Sequence, residues 1–184
     1  MNAVVDITGA VLETDRLILR EWKETDLNDF FEYASADGVG QMAGWQPHKS
    51  IEDSSAVLKM FIDGKKTFAV VHKENNKAIG SIGIENLSIE IAGYENLVGR
   101  ELGYVLNKDY WGQGLMPEAV KAVINYCFET IDCDYLLCSC SPVNKQSARV
   151  MEKCGFQFVM DKMRTLSDGS SRISKYHVLE NIAK

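Results

Sequence analysis

Between residues 97 and 130 an alternating strand pattern, LVGRELGYVLN, runs through Tyr110 and Trp111 and the triplet Gly112-Gln113-Gly114 straight into a helical pattern. Pro117 falls in the first helical turn, where its missing N–H costs nothing. Ala119, Val123, Tyr126 and Cys127 then repeat apolar positions at helical spacing. A helix N-terminus exposes backbone N–H groups without partners and carries partial positive charge. Phosphate fits there, provided no side chain blocks its approach. Gly112 and Gly114 remove that obstacle and let the backbone curl so that several N–H groups converge. A tight strand-to-helix turn also uses glycines, so the triplet alone leaves both readings open. It does not match the two familiar phosphate loops. A P-loop needs a Lys-Ser or Lys-Thr pair after its glycines. A dinucleotide fingerprint needs a third glycine, and position 117 is proline.

The rest of the chain supplies a sheet for that strand and helices to cover it. RLILREW (16–22) alternates as a strand, and Thr25 is the expected cap of a helix over DLNDFFEYA. QMAGWQPHKS (41–50) reads as a loop. Ser50 is the expected cap of a helix that runs to about Asp63 and stops at Gly64. TFAVVHK and AIGSIGIEN, joined by ENNK, form a hairpin pattern. YLLCSCS is a strand, NKQSARVMEKCGF a helix closed by Gly155, and FQFVMD and SRISKYHVLE are two final strands. Hairpins mixed with helical crossovers predict an α/β fold, a twisted mixed sheet of about six or seven strands flanked by about four helices. No repeat or low-complexity linker interrupts it, so one domain is expected over 1–184.

Composition narrows the function classes. With 46% hydrophobic and 25% charged residues the chain resembles a soluble globular protein. No apolar run is long enough to cross a bilayer, and the N-terminus lacks the basic segment of a signal peptide. A cytoplasmic location is expected. A net charge of -6 argues against broad nucleic-acid binding, which depends on neutralising phosphates. Cys133, Cys138 and Cys140 crowd one stretch without paired zinc-ligand spacing or a neighbouring histidine, so core thiols rather than a metal site are expected.

ELGYVLNKDYWGQGLMPEAV followed by SPVNKQSARVMEKCGF resembles the GNAT superfamily of acyl-CoA-dependent N-acetyltransferases. It is most similar to the RimJ/RimL branch, which acetylates N-termini of ribosomal proteins, and LETDRLILREW is similar to that branch's usual start. The resemblance implies acetyl-CoA as co-substrate, no metal, a primary-amine acceptor and a monomer or homodimer. It further implies that the backbone of Val105 and Leu106 bonds the pantetheine arm at a splay in the sheet. The segment Trp111, Gly112, Gln113, Gly114, Leu115 and Met116 would cradle the pyrophosphate. Asn144 would bond the pantetheine from the other side, and Ser147 would approach the sulfur. Asp109 stands where the wider superfamily often carries Gln or Arg.

Moving an acetyl group from a thioester to an amine needs a neutral amine, a stabilised oxyanion and a departing thiolate. A lysine-like amine, pKa about 10.4, needs a base at neutral pH, whereas an α-amino group near about 7.7–8.0 hardly does. A thiol of about 8.5 gains from a nearby proton donor. Asn144 and Ser147 lie three apart on a helix, so both can face one ligand. The resemblance implies a tyrosine on this helix in many members; none occurs here between Asn144 and Gly155, which leaves Ser147 as the candidate near the sulfur. Glu101 is the first candidate base, on the face of its strand shared with Gly103 and Val105, and Glu85 is the reserve. A backbone N–H near Leu106 would stabilise the oxyanion. Lys145 and Arg149 can reach the coenzyme's 3′-phosphate. Trp45 and His48 can line an acceptor pocket, while His72 and His177 sit in strand patterns. The acceptor is expected to be a protein N-terminal amine, with a small amine (polyamine, amino acid or antibiotic) as alternative. A non-catalytic acyl-CoA sensor is the rival from another class.

Overall fold

The computed structural model describes residues 1–165 and 169–184. Eight strands form one sheet in the order β1-β2-β3-β4-β5-β6-β8-β7. They are β1 (Leu12–Glu13), β2 (Leu17–Glu21), β3 (Thr67–His72), β4 (Lys77–Glu85), β5 (Gly99–Leu106), β6 (Tyr135–Cys140), β7 (Gln157–Thr165) and β8 (Ser171–Glu180). The helices are α1 (Leu27–Ala34), α2 (Gly40–Ala43), α3 (Ile51–Gly64), α4 (Leu115–Glu129) and α5 (Lys145–Lys153). The mixed α/β architecture is the expected one, with the short β1 and α2 added.

Two apolar layers hold the sheet. On one face Trp22, Phe30, Tyr33 and Leu58 close on Ala69, Val71 and Ala78, so α1 and α3 cover it. On the other, Leu115, Ala119 and Val123 of α4 pack on Phe68, Ile82 and Leu102. Each fully buried side chain of this size contributes about 1.5–3 kcal/mol. All five cysteines are buried free thiols, as core packing predicts.

Local chemistry explains most element ends. Ser50 caps α3, its hydroxyl accepting from Asp53 N–H at 3.2 Å while the Asp53 carboxylate takes Ser50 N–H. Thr25 does not cap α1. It lies within a short 3-10 turn, Glu24–Asp26, and the helix starts after buried Asp26, whose carboxylate is held by Arg20 at 2.8 Å. The 41–50 stretch is not loop throughout, because α2 ends within it at Gly44, φ 99°.

One irregularity positions everything that follows. All neighbouring strands pair antiparallel except β5 and β6. Their parallel pairing runs from Gly99↔Tyr135 to Leu102↔Cys138 and stops, although both strands continue. Beyond that point the sheet splays.

Candidate active site

The splay opens into a cavity of about 840 Å³ that is walled by β4, β5, the glycine turn, α5 and the α2 segment. Strand register decides which backbone groups face it. Asn107 N–H donates to Ile79 C=O at 2.7 Å, so odd-numbered residues of β5 direct their amides to β4. Tyr104 and Leu106 therefore turn theirs towards the missing β6 partner. The resemblance implies the backbone of Val105 and Leu106 for the pantetheine arm; the register directs the Val105 amide to β4 and turns the Tyr104 amide, with that of Leu106, towards the splay. The Leu106 carbonyl is taken by the Trp111 indole N–H at 2.8 Å, which leaves its N–H facing the splay.

At the turn after β5, Gly112 and Gly114 have φ of 77° and 76°, a left-handed conformation in which side chains are strained. A Cβ on Gly112 would meet nothing within 4 Å. The space beside it is therefore open, with α4 starting at Leu115 just beyond. The side chains of Leu115 and Met116 anchor this turn in the core, and Gln113 points outward.

A cation missed in the sequence lies behind the turn. Arg16 Nη1 donates to the Gln113 carbonyl at 2.9 Å, and its Nε donates to Glu118 at 2.8 Å. Glu118, in the first turn of α4, also accepts from Thr14 Oγ1 at 2.6 Å and Arg16 N–H at 2.9 Å. Burial pushes the Glu118 carboxyl up, but these bonds and the Arg16 charge outweigh it and hold the group below its usual range. The first helical turn thus keeps its positive character despite carrying an acid. No local pattern links residue 16 to residue 118.

Across the splay, Asn144 caps α5, its Oδ1 accepting from Ser147 N–H at 3.0 Å. Its Nδ2 reaches the Met42 carbonyl of α2 at 3.4 Å. The Ser147 hydroxyl lies 2.9 Å from the hydroxyl of Tyr104, which also donates to the Ser147 carbonyl at 3.1 Å. Burial, reinforced by Cys138, pushes the Tyr104 phenol well above its usual range. No tyrosine lies on α5, but Tyr104 reaches Ser147 from β5. The signal was a tyrosine in a strand pattern, whose hydroxyl needs a partner once buried. Arg149 and Lys153 line the cavity mouth, whereas Lys145 is exposed outside its wall.

The rest of the cavity wall comes from β4, β5, β6, α1, α3 and the α2 segment. Glu101 is 4% exposed and accepts from Ser88 N–H at 3.0 Å, Ser139 Oγ at 3.1 Å and Arg164 Nη1 at 3.2 Å. Glu85 also lines the cavity, in an ion pair with Lys66. Trp45 and His48 stand on the same wall, with ring centroids 5.2 Å apart. His72 and His177 lie on β3 and β8 and do not line it.

Comparison with known proteins places this arrangement. The profile of the acetyltransferase (GNAT) domain matches residues 16–157. The chain belongs to the GNAT acetyltransferases. It is 27% identical over 152 residues to an uncharacterised N-acetyltransferase, p20, of Bacillus licheniformis, covering 79% of this chain and 82% of that one. It is 27% identical over 158 residues to the ribosomal protein uS5-alanine N-acetyltransferase of Escherichia coli, covering 79% and 77%. That likeness is consistent with the RimJ/RimL-like branch. The crystal structure of a GNAT-family acetyltransferase from Bacillus anthracis superposes with a TM-score of 0.78 at 24% identity, covering 92% of this chain and 98% of the other. This GNAT chain is therefore an N-acetyltransferase by family, and that family uses acetyl-CoA. No helix among the described residues is long and apolar enough to cross a membrane.

Proposed function

We propose that this GNAT enzyme transfers an acetyl group from acetyl-CoA to a protein N-terminal amine, by direct attack in a ternary complex. It would act as one cytoplasmic catalytic domain over 1–184, a monomer or homodimer. One observation carries the reading. A single cavity joins a glycine turn fit for a diphosphate to a splayed strand and then to a separate acceptor end, so both substrates can occupy it together. Acetyl-CoA supplies the activated acyl group. Gly112 and Gly114 leave room for the diphosphate at the start of α4, and Arg149 suits the 3′-phosphate. The Leu106 N–H, nearer the glycine turn, suits the pantetheine arm, and the Tyr104 N–H, two residues deeper in the splay, suits the oxyanion. As the new N–C bond forms and the C–S bond breaks, the amine loses a proton and the sulfur gains one. Glu101 is the proposed acceptor of the first, and Ser147, oriented by Tyr104, bonds the departing sulfur.

The protein-type acceptor is supported by the likeness to the uS5-alanine enzyme and by the low demand of an α-amino group for a base. A polyamine is less well matched, because both carboxylates lining the cavity, Glu85 and Glu101, already have cationic partners in Lys66 and Arg164. Thiol release from acetyl-CoA, followed over N-terminal peptides, amino acids and polyamines, tests the reading. Turnover with peptides is expected. Tight coenzyme binding without turnover on any acceptor would support a sensor instead.

Two variants examine individual parts. Ser147→Ala should lower kcat by roughly 10–100-fold, the scale of a positioned proton-transfer or hydrogen-bonding group, and change coenzyme affinity little. An unaffected rate would remove Ser147 from the mechanism. Arg16→Ala should weaken coenzyme A binding by about tenfold, roughly 1.4 kcal/mol, because it leaves the Glu118 carboxylate uncompensated beside the diphosphate. Adding Glu118→Gln to that variant should restore most of the loss. Calorimetry that finds the double variant as weak as Arg16→Ala would show that charge compensation is not what Arg16 provides.

A further inference from the structure

His48 carries more information than its place on the cavity wall. Its Nδ1 lies 2.7 Å from the hydroxyl of Ser54, a residue of α3 with 0% exposure. That hydroxyl has one hydrogen to donate and makes no other hydrogen bond among the described residues. If Nδ1 carried the ring proton, the serine hydrogen would be buried without an acceptor, at a penalty that native interiors avoid. The satisfied arrangement has Ser54 donating to Nδ1, which puts the ring proton on Nε2.

The rest of the surroundings keep the ring neutral and fixed. The His48 backbone N–H is tied to the Ala34 carbonyl at 3.0 Å. Phe30 meets the ring edge-on with centroids 5.6 Å apart, and Trp45 lies against it. Burial pushes the imidazole pKa down, opposed only in part by the charge of Asp53. The Asp53 carboxylate is itself committed to Lys49 and Ser50 N–H groups. Nε2 has no protein partner among the described residues, and it is not sealed in the core.

A neutral imidazole of this kind is a hydrogen-bond donor to the cavity, not a base. Arg172 lines the same cavity, donates to the Gln41 carbonyl at 3.2 Å and pairs with no carboxylate among the described residues. The His48 Nε2–H, a donor without an acceptor among the described residues, suits a ligand oxygen, and a saturated amine has none to offer.

Resting on the acetyltransferase reading above, we infer that His48 Nε2–H holds a carbonyl or carboxylate oxygen next to the reacting amine. The acceptor is then an α-amino carbonyl compound, either a peptide N-terminus or a free amino acid, and not an alkylamine or polyamine. The two sources share the chemistry, and the probes below separate them. A site built to hydrogen-bond a substrate group rejects analogues that lack it, because its own buried polar atoms are then left unpaired.

The test uses the full chain and four acceptors: alanyl-alanine amide, L-alanine, isopropylamine and spermidine. Wild-type kcat/KM is expected to be at least roughly 50-fold higher for one of the first two than for either amine. His48→Ala should raise KM for that acceptor by roughly 10–100-fold with a smaller change in kcat, and His48→Gln, which keeps an N–H donor, should recover part of it. The pH profile of kcat/KM should keep its shape in His48→Ala, whereas a base would take an ionisation with it. Nitrogen-15 shifts of the ring should report the Nε2–H tautomer at pH 7. An Nδ1–H tautomer or a lost ionisation in His48→Ala would overturn the inference and leave the proposed function standing. Preference for isopropylamine or spermidine would overturn the inference and the protein-type acceptor together, leaving only acetyl transfer. Turnover of none of the four, with coenzyme bound, would overturn both.

Discussion

Gly112→Val is expected to weaken coenzyme A binding by at least roughly 100-fold while far-ultraviolet circular dichroism stays that of the wild type. Two effects combine. A residue with a Cβ in the left-handed region costs about 1–2 kcal/mol, more when β-branched, so the turn moves away from its present path. If it does not move, the added methyl groups project into the open space proposed for the diphosphate. The fold survives because a Cβ at this position meets no atom of the protein within 4 Å. Isothermal titration calorimetry checks the loss, and an unchanged affinity would refute the phosphate cradle.

Glu101→Gln should reduce kcat/KM by about 100-fold at pH 6.5 and by about tenfold or less at pH 9. An α-amino acceptor with a pKa of about 7.7–8.0 is mostly protonated at the lower pH and mostly free at the higher. A group that removes its proton therefore matters most under acid conditions. The three donors on Glu101 give the opposite possibility a clear signature. If the carboxylate only ties Ser88 and β5 to Ser139 and Arg164, the loss will be the same at both pH values and the melting temperature will fall with it. Arg164 is 42% exposed, so removing its partner leaves the guanidinium to solvent at small cost.

What was legible in the sequence was whatever local chemistry dictates. Ser50 announces the cap of α3, Asn144 announces the start of α5, and the alternation of RLILREW places β2 to within a residue. The glycine turn could be read because its conformation excludes other residues. The failures share a cause. Thr25 looks like a cap on spacing alone, but Arg20 recruits Asp26 from another element and moves the helix start. Val105 looked equivalent to Leu106 until the pairing with β4 decided which amides remain free. Lys145 and Arg149 both suit a phosphate on composition, and only the packing of α5 separates them. Arg16 with Glu118, Tyr104 with Ser147 and Glu101 with Arg164 are contacts between distant segments, for which one sequence carries no local signal.

The splay between β5 and β6 arises where two main chains part company, and no single side chain forms it. A wedge made by chain path can persist while the residues around it drift. On the proposed function, the same property would let the walls of the acceptor end be rebuilt for new amines without disturbing the slot proposed for the thioester.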